Sequence, residues 1–329
     1  MLLSVIVPVY NGERYLTNCI DSIAKAIEGI NAEVIVINDG STDGTGFVCH
    51  DLAEEYDFLK VLNLRDEGVS VARNKGFKQS SGEYVTFVDA DDTVKPDMFA
   101  KLLDVAKSTN ADITGCGFEI IHKLGECPEG EPVPNRFVEY SPQDFIFDQM
   151  LGRNNTRCWS KLYKRSIAQG IEFLPNLTIG EDIIYSATAA KKSSKIVEIS
   201  NYCGYNYYIN SEGAMNRKFR PSYMDQIKCW EFLEEIIKTY EDYDSRGKVM
   251  LYAKMMMSCL LVASKIAMLS AKERTQFHDE IGKCKETLRM ALSLCPEAFD
   301  TLDKGYKIKV TMFMKTPSLY LNLYHNWKG

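Results

Sequence analysis

The sequence predicts an α/β fold in which helices cover both faces of an open, mostly parallel sheet, with a helical C-terminal region after it. Three observations carry this expectation. Short apolar strands alternate with helix-period stretches over residues 2–120. One of those strands, EVIVIN, is short and β-branched enough to lie buried on both faces, as parallel strands do. From residue 223 onward the spacing of apolar residues is helical. Regular alternation of strand and helix builds a parallel sheet through crossover connections.

Taken in order, residues 3–10 form the first strand, and residues 15–28 place Leu16, Ile20, Ile23 and Ile27 on one helical face. Residues 33–38 are the second strand. A helix over 42–56, a strand at 58–64, a helix at 70–79, a strand at 84–88, a helix at 96–108 and a strand at 113–120 complete the alternation. Residues 122–141 hold three of the ten prolines and read as a loop or β-ribbon insertion. Residues 142–219 mix short helices with aromatic-rich segments, and helices are expected at 224–240, 244–269 and 272–294. Within the second of these, residues 250–268 are apolar but interrupted by Lys254 and Lys265. That leaves about ten uninterrupted residues where a membrane span needs about twenty, so a buried helix at a domain interface is expected. Its methionine cluster, Met255 to Met257, reads as core filler.

Composition excludes several classes. A chain of 329 residues, 45% hydrophobic and 26% charged, is neither disordered, collagenous nor a disulfide-stapled miniprotein. The length suggests about two domains, or one large domain with an appendage. Ten cysteines without any C-x-x-C pair read as free thiols of a reducing compartment, which makes the expected location cytoplasmic. The apolar N-terminus has no basic start and carries Pro8, so it reads as a strand and not as a signal peptide. Net charge is −6, yet residues 245–329 hold 14 Lys and Arg against 7 Asp and Glu, a balance of +7 that leaves −13 for the first 244 residues. A nucleic-acid protein would carry its basic patch over the recognition fold, so no nucleic-acid partner is expected. The basic tail suggests peripheral contact with an anionic membrane surface through Lys304, Lys307, Lys309 and Lys315, with Tyr320, Tyr324 and Trp327 at the interface. A tail docked on the helical region with solvated lysines explains it equally well.

In open α/β sheets ligands bind beyond the carboxyl ends of the strands, where this sequence gathers its polar residues. Asp39 lies in Asn38-Asp39-Gly40-Ser41-Thr42-Asp43 and can accept from a nucleobase or a ribose hydroxyl, whereas Asp43 is better explained by the start of a helix. Asp89-Ala90-Asp91-Asp92, a D-x-D cluster, puts three carboxylates within four residues. Their repulsion is usually offset by a cation, and a hard divalent ion held by one or two of them keeps positions for phosphate oxygens. If the segment is extended, Asp89 and Asp91 share a side. Arg73, in Ala72-Arg73-Asn74-Lys75-Gly76, can meet a phosphate or a base carbonyl, although most helical arginines are simply solvated. Asp182 opens a predicted helix, where acidic residues are common anyway; the need for a base not tied to a metal singles it out. The absence of G-x-G-x-x-G after the first strand and of G-x-x-x-x-G-K-[ST] argues against a dinucleotide oxidoreductase and a P-loop phosphotransferase. Four scattered histidines show no metal-ligand spacing.

The order of these pieces resembles the family 2 glycosyltransferases of the Rossmann-like GT-A fold, which build bacterial cell-surface polysaccharides. The matching segments are Val5-Ile6-Val7-Pro8-Val9-Tyr10-Asn11, Val36 to Asp43, Ala72 to Gly76 and Gly82 to Asp92, with Cys158-Trp159-Ser160-Lys161 and Gly180-Glu181-Asp182 resembling the acceptor-side half. The resemblance implies that residues 1–120 bind the nucleotide-sugar donor, 121–219 the acceptor, and that 220–329 are a helical appendage. It implies that Pro8, Val9 and Tyr10 line the nucleotide pocket with Asn11 and Glu13 nearby, and that Asp39 bonds the base. Arg73 would reach the base or phosphates, Asp89 the ribose, with Ala90 between it and Asp91. Asp91 would ligate Mn²⁺ or Mg²⁺ on the diphosphate, with Asp92 in support, and Asp182 would deprotonate the acceptor. The implied enzyme is an inverting, metal-dependent glycosyltransferase that uses a UDP-sugar and extends a glycan or lipid-linked saccharide. Alternatives are a polyprenyl-phosphate sugar transferase and a non-catalytic nucleotide-sugar-binding subunit, and a homodimer is left open. Trp159 and the tyrosines 202, 205, 207 and 208 either close the pocket or simply pack.

Overall fold

The computed structural model describes residues 2–124, 136–152, 156–209 and 218–328, so part of the 122–141 insertion, and Cys127 with it, lies outside the described residues. The chain divides into two compact units, one of residues 1–176 and 181–213 and one of 177–180 and 214–329.

The first unit begins with the expected alternation: β1 (Leu3–Val9), α1 (Leu16–Ala26), β2 (Ala32–Asn38), α2 (Thr45–Glu55), β3 (Leu59–Asn63), α3 (Val69–Gln79) and β4 (Tyr84–Phe87). A two-residue β5 (Thr93–Val94), α4 (Met98–Thr109) and β6 (Ile113–Ile121) follow. Then come β7 (Phe137–Tyr140), α5 (Pro142–Leu151), β8 (Lys161–Lys164), α6 (Arg165–Ala168), α7 (Glu181–Lys192) and β9 (Ile196–Tyr208). The strands form one sheet in the order β3-β2-β1-β4-β8-β6-β9-β5, with β7 also on β9. β3, β2, β1 and β4 are parallel, and β6 and β9 pair in parallel. β8 runs antiparallel between β4 and β6, so strands from both sides of position 120 share one sheet. Sequence spacing cannot foresee that insertion, because it depends on pairing between distant segments.

Every residue of β1 is buried, and β2 is buried from Glu33 to Asn38, as runs covered on both faces should be. α1 turns Leu16, Cys19, Ile20 and Ile23 onto the core, and α3 approaches the sheet at Gly76. A Cβ there would stand 2.6 Å from Ile6 Cγ2 and 2.7 Å from Ile37 Cδ1, so any larger residue at this crossing forces those side chains or the helix to shift. One polar group is built into this core. Glu33 accepts from Ser4 Oγ, Lys60 Nζ and both the backbone N–H and hydroxyl of Ser81, tying β1, β3 and the turn before β4 to β2. Burial pushes its carboxyl up, and these donors outweigh burial and bring it down to about 2.

The second unit is helical: α8 (Asp225–Ile237), α9 (Lys248–Ala267), α10 (Ala271–Arg274), α11 (His278–Leu294), α12 (Pro296–Thr301), α13 (Lys304–Lys315) and α14 (Pro317–Lys328). The helix expected over 272–294 is broken, because a capping box between Ser270 and Glu273 starts α10 and a 3₁₀ turn at Thr275–Phe277 precedes α11. With the π turn before it, α9 is a 25-residue helix apolar enough to cross a membrane by length and composition. It also buries Leu251, Met255, Met256, Cys259 and Ile266, so the helix is buried along one side as expected, and its methionines Met255 and Met256 lie in the interior. Tyr320, expected at a membrane interface, is instead buried, with its ring 5.4 Å from Phe313 and its hydroxyl hydrogen-bonded to Ser264.

Candidate active site

The polar segments after β1, β2 and β3 are joined by hydrogen bonds at the carboxyl end of the parallel strands, and the segment after β4 bonds to Arg73 of α3 and to β9. Asn11 adopts a left-handed φ of 52°, and its side-chain oxygen accepts from the Thr42 N–H at 2.8 Å. Glu13 Oε2 accepts from the Gly44 N–H, and the Gly12 N–H donates to Thr45 Oγ1. Asn11 and Glu13 therefore bind the first loop to the second. Asp43 accepts from the Thr45 N–H at the start of α2, the structural role expected of it. Pro8 and Val9 are buried within β1, so of the three residues expected to line a pocket only Tyr10, 48% exposed, presents its side chain.

Asp39 is buried, and its two oxygens accept from the Glu67 and Gly68 N–H groups at 2.8 and 2.7 Å. It holds the loop before α3 against the end of β2. Each carboxylate oxygen keeps a second acceptor direction, so this duty and an approaching N–H donor are compatible.

The acidic cluster is a turn and not the extended segment assumed from alternation: the Asp92 N–H donates back to the Asp89 carbonyl at 3.0 Å. Ala90 is buried, and Asp89 and Asp91 are partly exposed. Asp92 points inward, accepting from the Tyr205 hydroxyl at 2.7 Å and the Tyr208 N–H at 2.8 Å. The Tyr205 hydroxyl also accepts from the Asp89 N–H. Asp92 thus fastens the turn to β9 and does not cap α4, which starts only at Met98. Burial, then the charges of Asp91 and Asp89, push its carboxyl well above the usual range.

Arg73 is the centre of the site. It is 3% exposed. Its Nη2 donates to Asp89 Oδ1 at 2.8 Å, and its Nη1 donates to Asp182 Oδ1 at 2.9 Å and Glu181 Oε1 at 3.1 Å. Phe173 lies 5.2 Å below the guanidinium. Burial opposes the arginine's charge, and Asp182 and its neighbouring carboxylates more than offset it. Nη1 is thus committed to two carboxylates and Nη2 to one; the expected contact with a nucleotide needs a rearrangement, the second N–H of Nη2, or Nε, which is buried without a partner.

Two residues here were undervalued by sequence reasoning. Glu181 looked like an ordinary first-turn acid, but it shares Arg73 with Asp182. Burial and the charge of Asp182 raise its carboxyl to about 7. Cys158, classed among the core thiols, is buried and hydrogen-bonds Asp182; burial pushes its thiol well up. The one signal for it was its place in the Cys158-Trp159-Ser160-Lys161 segment. Trp159 and Tyr205 are packing residues, buried and stacked at 4.3 Å, whereas Tyr202, Tyr207 and Tyr208 are partly exposed.

Among the described residues no three His, Cys, Asp or Glu side chains converge as a self-sufficient metal site. The partly exposed carboxylates of Asp91 and Asp89, with a charge excess felt at Asp92, do suit an ion whose remaining ligands are substrate phosphates.

Residues 4–160 match the family described as Glycosyl transferase family 2. An uncharacterized glycosyltransferase, EpsJ of Bacillus subtilis, is 29% identical over 231 residues, covering 68% of this chain and 66% of EpsJ. The minor teichoic acid biosynthesis protein GgaB of the same organism is 30% identical over 222 residues, covering 64% of this chain and 23% of GgaB. The chain thus spans about two thirds of one relative and about a quarter of the other. The solved structure of S. aureus TarS 1-349 with UDP-GlcNAc superposes with a TM-score of 0.71 over 99% of this chain and 91% of that one, at 18% identity. That likeness establishes the fold, a GT-A-type sheet with a helical C-terminal region.

Proposed function

The chain belongs to glycosyltransferase family 2, and from that premise we propose that it moves a sugar, with inversion, from a UDP-sugar to a hydroxyl of a glycan or lipid-linked saccharide in cell-surface polymer synthesis. The proposed location is cytoplasmic. The names of the relatives support the polymer, and the TarS complex supports the nucleotide. One observation carries the chemistry. Arg73 brings Asp89 from the donor-side turn within hydrogen-bond reach of the same guanidinium as Asp182, 109 residues further along the chain than Arg73.

In this reading the loops knitted by Asn11, Glu13 and Asp39 receive the nucleoside, with Tyr10 beside it, and Asp89 accepts from a ribose hydroxyl. Asp91 would hold Mn²⁺ or Mg²⁺, which when bound neutralises the charge developing on the departing diphosphate. Asp182 takes the proton of the acceptor hydroxyl as that oxygen attacks the anomeric carbon, and the single displacement inverts the centre. Arg73 fixes the orientation of Asp182. At 8% exposure the carboxylate has little access to bulk water, which favours transfer over hydrolysis of the donor.

Calorimetric titration with UDP and with GDP, each with and without Mn²⁺, tests the donor side. Wild type should bind UDP more tightly than GDP, and more tightly with Mn²⁺ than without, and Asp91→Ala should lose the Mn²⁺ increment. An increment unchanged in Asp91→Ala refutes the metal role, and preference for GDP refutes the donor.

A further inference from the structure

The helical unit carries a second feature, independent of the carboxylate site. Residues 304–329 contain five lysines (Lys304, Lys307, Lys309, Lys315, Lys328) and no Asp or Glu. They fold into α13 and α14, which pack on each other and on α9. The inner sides are well defined: Val310 and Phe313 of α13 and Tyr320 and Leu321 of α14 are buried.

The outer sides are not those of an ordinary solvated helix. On α14, Leu319, Leu323 and Trp327 recur every four residues and are 50%, 49% and 67% exposed. An i, i+4, i+8 row lies along one helical face, so they form an apolar stripe turned outward. On α13, Ile308 is 53% exposed. It lines an open groove of about 500 Å³ with Phe299, Met312, Lys307 and Lys315. Scattered exposed leucines are normal, whereas a continuous stripe marks an interaction surface.

We infer that α13 and α14 form an interfacial anchor for an anionic lipid bilayer, with Leu319, Leu323 and Trp327 entering the headgroup and acyl boundary. Charge complementarity selects this occupant. Residues 304–329 carry five lysines and no carboxylate, Lys307 and Lys315 line the groove with Ile308, and α14 adds an exposed apolar stripe; this combination matches a negatively charged surface with hydrocarbon beneath it. Tryptophan at the end of such a stripe has an apolar ring with one polar N–H, suited to the boundary between the two. Trp327 is kept from the sequence expectation, whereas Tyr320 is committed to the protein interior and Leu319 and Leu323 face outward with Trp327.

Vesicle co-sedimentation of the full chain tests this, using phosphatidylcholine vesicles with and without phosphatidylglycerol. Wild type should sediment with the anionic vesicles and weaken as salt rises. The triple variant Leu319→Ser, Leu323→Ser, Trp327→Ser should lose affinity about tenfold or more. Lys304→Gln, Lys307→Gln, Lys315→Gln should lose it about a hundredfold. All substituted side chains except Lys307 are exposed, so far-UV circular dichroism and the melting temperature should match wild type, and hydrolysis of the soluble donor should be unchanged. Equal binding by the variants, or no binding of wild type to anionic vesicles, overturns the inference. So does a wild-type dimer that the apolar substitutions convert to monomer without vesicles, since the stripe would then be a self-interface. Failure here leaves the sugar-transfer reading intact, because donor hydrolysis is read separately.

Discussion

Arg73 has a guanidinium that is 3% exposed and shared among Asp89, Glu181 and Asp182. One positive charge among three carboxylates cannot keep all of them comfortably ionised, and the excess falls on Glu181, raised to about 7 by burial and by Asp182. Between pH about 4.5 and about 7 the folded chain holds a proton on Glu181 that the unfolded chain has released, so stability falls as pH rises through that window. Glu181→Gln removes the group. Urea unfolding across that range should show the variant gaining on wild type as pH rises, and a flat difference would contradict the assignment. Asp39 and Asp89 were legible in the sequence as candidates because each puts a carboxylate at the end of a strand, Asp182 because the chemistry needs a base apart from the acidic cluster, and Arg73 through its place in the Ala72-to-Gly76 segment. The role of Glu181 was not, since local rules for a helix's first turn already account for an acid there. Its partner is 108 residues away.

Elements were legible where the pattern is local. The buried run of β2 and the face of α1 announced themselves through β-branched residues and 3.6-residue spacing. The acidic cluster was misread as extended because alternation presumes a strand, while the turn here is held by Tyr205 and Tyr208 of β9. Gly76 shows a second non-local demand. Within α3, alanine would raise helix propensity by about 1 kcal/mol. The added Cβ would stand 2.6 Å from Ile6 and 2.7 Å from Ile37, and overpacking of this kind costs about 1–3 kcal/mol. Crowding wins over propensity. Gly76→Ala should therefore lower the unfolding free energy by about 1 kcal/mol in urea titration, and a stabilised variant would show that the helix can lift from the sheet without penalty.

At the scale of the molecule, the strand–helix alternation and the helical spacing after residue 223 foretold a sheet followed by a helical C-terminal region. They did not foretell that β8 would enter the sheet between β4 and β6. That insertion also brings the Cys158-to-Lys164 segment into the sheet unit. Cys158, just before β8, meets Asp182 at the start of α7, while the same carboxylate meets Arg73 of α3. The site is thus a product of the whole sheet unit and not of any one motif. The basic helices of the other unit supply a separate surface, whose lysines were visible in the sequence but whose apolar stripe emerged only once Tyr320 was seen to point inward.

The central claim is that Asp182 is the base in sugar transfer. The most direct test is the transfer rate of Asp182→Asn with a donor that binds wild type. The substitution keeps the side chain's shape and an oxygen for Arg73, so UDP binding by calorimetry should be unchanged, while transfer should fall about a thousandfold, within the range of general base catalysis. Transfer at close to the wild-type rate, with donor binding intact, would contradict the account.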